Sequence, residues 1–177
     1  MQTHDSFAHP QSLPAVHVQP GDQTDIPLFL EDYAGCDGEL RAVLQYAYQA
    51  AVLHENHPRL AKELLRISIE EMHHLHAWAD VLCQLQAEPR YWAASNNTHQ
   101  GYFTTSVITY VTDPSRMMMA NIIGEKKAIA TYQQNIRRIR NPSIRALLQA
   151  VIAQEKQHLA FFERTLQTLS NEKGCQS

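Results

Sequence analysis

The stretch Ile69-Glu70-Glu71-Met72-His73-His74-Leu75 decides the fold, because Ala153-Gln154-Glu155-Lys156-Gln157-His158-Leu159 repeats its pattern 84 residues downstream. Glu71 falls on Glu155, His74 on His158 and Leu75 on Leu159. The register extends outward, with Pro58 on Pro142, Leu60 on Ile144 and Leu64 on Leu148. Upstream of each copy, Glu39-x-x-Ala42-Val43-x-x-Tyr46 matches Glu125-x-x-Ala128-Ile129-x-x-Tyr132 at an offset of 86. A proline, a carboxylate and a histidine agreeing in one register mark two copies of one helical hairpin, related by a pseudo-two-fold axis.

The apolar periodicity agrees. Leu40, Val43, Leu44, Ala47, Ala51 and Val52 recur at three- to four-residue steps, which predicts a first helix over 37–54 with Asp37 as its N-cap. Pro58 opens a second helix that ends before Pro89; Leu60, Leu64, Ile67, Leu75, Trp78 and Leu82 form its stripe. Asp113-Pro114 starts a third helix running to about 140, and Asn141-Pro142 a fourth running to about 170. Between the second and third, Pro89, Asn96, Asn97 and Gly101 break the pattern, and Tyr102 to Val111 reads as a short extended segment. Short, long and short connections predict an all-α four-helix bundle with a long crossover between helices 2 and 3. Residues 1–34 carry Pro10, Pro14, Pro20 and Pro27 and read as an extended arm, pinned to the core through Leu28-Phe29-Leu30; the bundle takes 35–170 and a tail 171–177.

Composition narrows the function. The chain has 177 residues, 44% of them hydrophobic, enough for one domain with a real core. A net charge of -3 argues against a nucleic-acid partner. No run approaches a membrane span, and no basic stretch precedes an apolar one at the N-terminus, so a cytoplasmic protein is expected. Cys36, Cys83 and Cys175 are scattered and form no Cys-x-x-Cys, which excludes a rubredoxin-type or zinc-ribbon centre.

The repeated Glu-x-x-His carries the chemistry. Residues three apart on a helix lie about 60° apart and about 4.5 Å along the axis, so both side chains reach one ion. Glu70-Glu71-Met72-His73-His74 allows two such pairs, but Glu70 and His73 fall on Gln154 and Gln157, whereas Glu71 and His74 fall on residues that can ligate. Glu71/His74 and Glu155/His158 are therefore the candidate pairs, with Glu39 and Glu125 each adding a carboxylate from a facing helix. Four buried carboxylates would cost several kcal/mol each if left unpaired. Two divalent cations balance Glu39, Glu71, Glu125 and Glu155, and neutral His74 and His158 complete the set. Carboxylate and imidazole donors suit two iron or two manganese ions. Tyr46 and Tyr132, seven residues after Glu39 and Glu125, are candidates to hydrogen-bond the ligand carboxylates or simply to pack in the core.

On these residues the chain resembles the ferritin-like superfamily of dinuclear carboxylate proteins. Asp37-Gly38-Glu39-Leu40 with Leu44-Gln45-Tyr46 is similar to the first helix of manganese-catalase-like proteins. Glu71-Met72-His73-His74-Leu75 followed by Glu88-Pro89-Arg90-Tyr91-Trp92 is similar to rubrerythrin-type domains. The resemblance covers about 34 to 170 and implies oxygen or peroxide chemistry on metals held between the helices. It implies Glu39, Glu71, His74, Glu125 and His158 as ligands. It leaves Glu155 either a ligand, as in diiron members, or a nearby catalytic base, as in manganese catalases. It also implies an external electron donor for peroxidase turnover, none for a catalase, and a homo-oligomer. Iron oxidation and storage, or a non-catalytic metal-binding bundle, are the alternatives. Gly124, inside a helix beside Glu125, is expected to admit a substrate or be merely tolerated; Met117-Met118-Met119 are expected in the core.

Overall fold

A computed structural model describes residues 13–94 and 100–174. Its helices are α1 (Ile26–Ala34), α2 (Glu39–Leu53), α3 (Pro58–Gln84), α4 (Pro114–Arg138) and α5 (Pro142–Gly174). α2 packs along α3 and α4 along α5, and α2 meets α4 where the two hairpins join as a four-helix bundle. Prolines at the first turns of α3, α4 and α5 sit where a missing N–H costs nothing. Asp113 caps α4, its carboxylate accepting from the Arg116 N–H at 2.9 Å.

The N-terminal arm departs from its reading as extended chain. Pro20–Asp25 is a 3-10 segment and Ile26–Ala34 is an α-helix. Pro27 lies in the first turn of α1, where proline is tolerated, so it begins a helix instead of breaking one. Phe29, Tyr33 and Ala34 then face the core, and Phe29 stacks on Trp78 with ring centroids 5.5 Å apart. An aromatic pair of this kind adds about 0.5–1.5 kcal/mol beyond its area burial.

The start of α2 also differs from expectation. Its N-cap is Gly38; Asp37 instead pairs with Lys127 of α4. The turn from α1 passes so close that a Cβ on residue 38 would lie 2.6 Å from the Glu31 carbonyl oxygen and 2.7 Å from that of Asp32. Glycine at this position is what lets Glu39 begin the helix pointing inward.

The crossover carries a small antiparallel ribbon, β1 (Trp92–Ala94) with β2 (Gln100–Tyr102), in the register Trp92 to Tyr102. Part of the segment read as extended, Thr105–Val107, is a 3-10 turn. Gln45 staples the crossover to α2. Its amide donates to the Thr109 carbonyl at 3.1 Å and accepts from the Thr109 N–H at 2.7 Å. The Asn96-Asn97 part of the loop, His4, His9 and Pro10 of the arm, and Cys175 lie outside the described residues.

Two apolar clusters fill the bundle. One joins Trp78, Leu82, Ile144, Leu148 and Val151 with α1; the other joins Leu64, Ile67, Met117, Met118 and Phe162. Met119 is not in the core but 53% exposed, because the third consecutive helical position turns away from the face its neighbours share. Between the clusters, at the level of 71–74 on α3 and 155–158 on α5, the interior is polar. Among the described residues, no helix is long and apolar enough to cross a membrane.

Candidate metal centre

Glu39, Glu71, His74, Glu125, Glu155 and His158 converge in that polar layer, none more than 3% exposed. Their donor atoms form two overlapping sets, Glu39/Glu71/His74/Glu155 and Glu71/Glu125/Glu155/His158. Within each set the atoms lie within 4.8 Å of one another, close enough to share an ion. Glu71 and Glu155 belong to both.

The distances give the pattern its symmetry. His74 Nδ1 lies 3.0 Å from Glu71 Oε2 and 3.2 Å from Glu155 Oε1, with Glu39 Oε2 at 3.6 Å. His158 Nδ1 lies 3.0 Å from Glu71 Oε1 and 3.1 Å from Glu155 Oε2. Each of these two carboxylates turns one oxygen to each imidazole. The arrangement follows from the repeat, which places the Glu-x-x-His pairs of α3 and α5 at equivalent heights on facing helices.

The tyrosines exchange partners across the bundle. Tyr46 of α2 donates its hydroxyl to Glu125 of α4, and Tyr132 of α4 donates to Glu39 of α2. Burial and the facing carboxylates raise both phenols well above their ordinary range, so each stays a donor.

Burial is the largest single influence on each group, but it does not always win. It pushes Glu39 up to about 8 against the pull of His74, and raises Glu125 well above the usual carboxylate range, with Glu155 and Glu71 adding repulsion. Burial opposes charge on Glu71 and Glu155 as well, but contacts with both imidazoles win and hold these two below the usual carboxylate range. Burial likewise disfavours imidazolium, yet the surrounding carboxylates raise His74 and His158 well above the usual histidine value. Glu71 Oε1 accepts no aligned hydrogen bond despite complete burial, an orphan acceptor that a cation between Glu71 and Glu155 would satisfy. The donor set and its charge therefore fit a pair of divalent ions.

Three neighbours were not identified as parts of the site from sequence. Gln154 Oε1 lies 2.7 Å from His74 Nε2, and Glu70 Oε2 lies 2.8 Å from His158 Nε2. The alignment that removes Glu70 as a ligand pairs it with Gln154, which was the available signal. The third is Arg41. A cavity of about 20 Å³, room for roughly one water, reaches Glu39, Glu71, Glu125 and Glu155 between Arg41 and Gly124. Arg41 is held there by its Nε–H donating to the Val107 carbonyl at 3.2 Å. Larger hollows lie elsewhere on the surface, so the site is marked by its buried charge and not by volume. His73 and His76 are exposed and stand outside the cluster.

The family model for rubrerythrin matches residues 33–166. The chain belongs to the rubrerythrin family. The bundle of this rubrerythrin-family chain is ferritin-like, and its interior gathers the carboxylates and histidines of a dinuclear site. It is 22% identical to a probable manganese catalase of Clostridium acetobutylicum, over 82% of this chain and 71% of that protein. Its fold superposes on KatB, a manganese catalase from Anabaena, with a TM-score of 0.77 at 24% identity, over 96% of this chain and 81% of the other. It superposes on the bacterioferritin of Desulfovibrio desulfuricans with a TM-score of 0.69 at 20% identity, over 88% and 86% of the two chains. At such identities the structural likenesses establish the rubrerythrin-family chain's fold and no more.

Proposed function

We propose that the protein is a dinuclear iron or manganese oxidoreductase acting on hydrogen peroxide or oxygen, with peroxide disproportionation as its main reaction. The observation that carries this reading is the pair Glu71 and Glu155, each offering one oxygen to each half of the cluster. Glu39 and His74 would hold one ion, Glu125 and His158 the other, and Glu71 and Glu155 both. When bound, such a pair supplies the two-electron couple that peroxide chemistry requires. The spread of Glu155 oxygens toward both imidazoles favours a bridging ligand over a free base.

The remaining residues prepare the site. Tyr46 and Tyr132 keep their phenolic protons and donate hydrogen bonds to Oε1 of Glu125 and of Glu39, fixing which oxygen of each carboxylate stays free. The outward Nε2 atoms are fixed by Gln154 and Glu70, which leaves Nδ1 facing inward. The narrow passage beside Gly124 admits small molecules such as peroxide, and Arg41 offers them a guanidinium. Similarity to a probable manganese catalase favours disproportionation, which balances as two peroxides to two waters and one dioxygen and needs no electron donor.

The test is oxygen evolution from hydrogen peroxide by manganese- and iron-loaded protein, with Glu71→Ala as control. Oxygen release without a reductant, lost in Glu71→Ala, is expected. Loaded protein that leaves peroxide untouched with and without an electron donor contradicts the proposal.

A further inference from the structure

We propose that the two metal positions are unequal, that the one beside His158 binds its ion more tightly and fills first, and that Glu70 and Gln154 set this order as positioning residues. The inference rests on the reading of the cluster as a dinuclear centre and goes beyond it.

Both imidazoles present Nδ1 to the carboxylates and Nε2 away from them. A carboxylate oxygen and an amide oxygen can only accept, so each Nε2 must carry its proton outward. Once each ring is neutral, that fixes one tautomer for both, with the Nδ1 lone pair inward. The acceptors differ in charge. His158 donates to the Glu70 carboxylate at 2.8 Å and His74 to the Gln154 amide at 2.7 Å. The two acceptors occupy the same place in the repeat, 84 residues apart like the histidines they hold, so this is the point where the duplicated halves diverge in charge.

Glu70 is held for this task. Its other oxygen, Oε1, accepts from Arg66 Nη1 at 2.7 Å, and Arg66 Nε–H donates to Glu63 at 3.0 Å. The carboxylate is thereby gripped at both ends, by Arg66 outside and His158 inside. A carboxylate draws the Nε2 proton more strongly than an amide does, which makes Nδ1 of His158 the better donor to a cation. Its negative charge also adds to the attraction at that position. Outer partners of this kind change metal affinity by about 10- to 100-fold. Glu70 is 19% exposed and shares its charge with Arg66, so the low end applies, about tenfold.

The experiment is a titration of metal-free full-length protein with Mn²⁺, following unbound Mn²⁺ by electron paramagnetic resonance. Two adjacent cations repel, so two steps alone prove nothing; the response of each step to substitution does. Glu70→Gln, isosteric and at the edge of the bundle, should weaken the first step about tenfold and leave the second in place. Gln154→Glu should tighten the second step by a similar factor and leave the first. Thermal melts of the metal-free variants check that the fold is intact. Glu70→Gln that moves the second step, or both equally, or neither, overturns the proposal, as does Gln154→Glu without effect on the second. Because binding is read without peroxide, failure of the catalase reading leaves this result standing.

Discussion

Metal loading should release about four protons per pair of ions near neutral pH. Without metal, burial raises Glu39 to about 8 and Glu125 well above the usual carboxylate range, which favours the protonated form of both near neutral pH. His74 and His158 are raised too and are imidazolium, while Glu71 and Glu155 are ionised. Two positive and two negative groups leave the cluster neutral, which is what burial demands. Ligation needs all four carboxylates ionised and both imidazoles neutral at Nδ1, so four protons depart as two divalent ions arrive. The combined binding constant should then climb steeply with pH around neutrality, by up to about four decades per pH unit. As pH rises through about 8 the count should fall, as Glu39 ionises before metal arrives. Isothermal titration calorimetry in buffers of contrasting ionisation enthalpy reads the number directly. A release of one proton or none would refute the reasoning, since the carboxylates would then already be ionised and the cluster would not be the compact buried one described.

Other substitutions probe separate parts of the structure. Tyr46→Phe and Tyr132→Phe should each lower metal affinity about tenfold without unfolding the bundle, measured by competition with a chelator; unchanged affinity in both would show the crossed hydrogen bonds to be idle. Gly124→Leu should fill the passage beside Arg41, keeping two metals per chain while blocking azide binding and peroxide turnover. Gly124→Ala need only push Arg41 Nη1, 3.2 Å from the new Cβ, by a few tenths of an ångström, and should behave as the parent. Azide that still binds to Gly124→Leu would place the entrance elsewhere. Asp32, buried and held by Asn135 at 2.9 and 3.0 Å, is raised by burial from 3.8 to about 8. The folded state binds this proton more tightly than the unfolded one, so its contribution is present in full below about pH 4 and is lost as pH rises toward 8. Asp32→Asn should therefore leave Tm nearly unchanged at pH 4 and raise it at pH 9, by scanning calorimetry; an equal shift at both pH values would refute the assignment.

What the sequence disclosed was whatever the duplication duplicated. Pro58 and Pro142, Glu71 and Glu155, and His74 and His158 fix the registers of α3 and α5, and the choice of Glu71 over Glu70 followed from a match to Gln154. Features present once were harder to read. α1 hides behind prolines, because Pro27 in a helix's first turn has the same letter as Pro27 in an extended arm. Asp37 has the chemistry of a cap, but the cap falls to Gly38, since two carbonyls of α1 crowd that position in a way no local pattern reveals. The tyrosines' spacing suggested contact with carboxylates, yet their exchange between α2 and α4 depends on which helices face each other. Arg41 reaches the mouth of the site only because the crossover passes Val107 across it. Glu70 and Gln154 were visible as a mismatch in the repeat; that each grips the histidine of the opposite hairpin needed three dimensions.

The most direct measurement is anomalous diffraction at the metal edge from crystals of protein loaded with manganese or iron. Two peaks about 3.5–4 Å apart are expected, one next to Nδ1 of His74 and the other next to Nδ1 of His158, with Glu71 and Glu155 reaching both. A single peak, or peaks away from those two glutamates, would contradict a dinuclear centre at the heart of the duplicated hairpins.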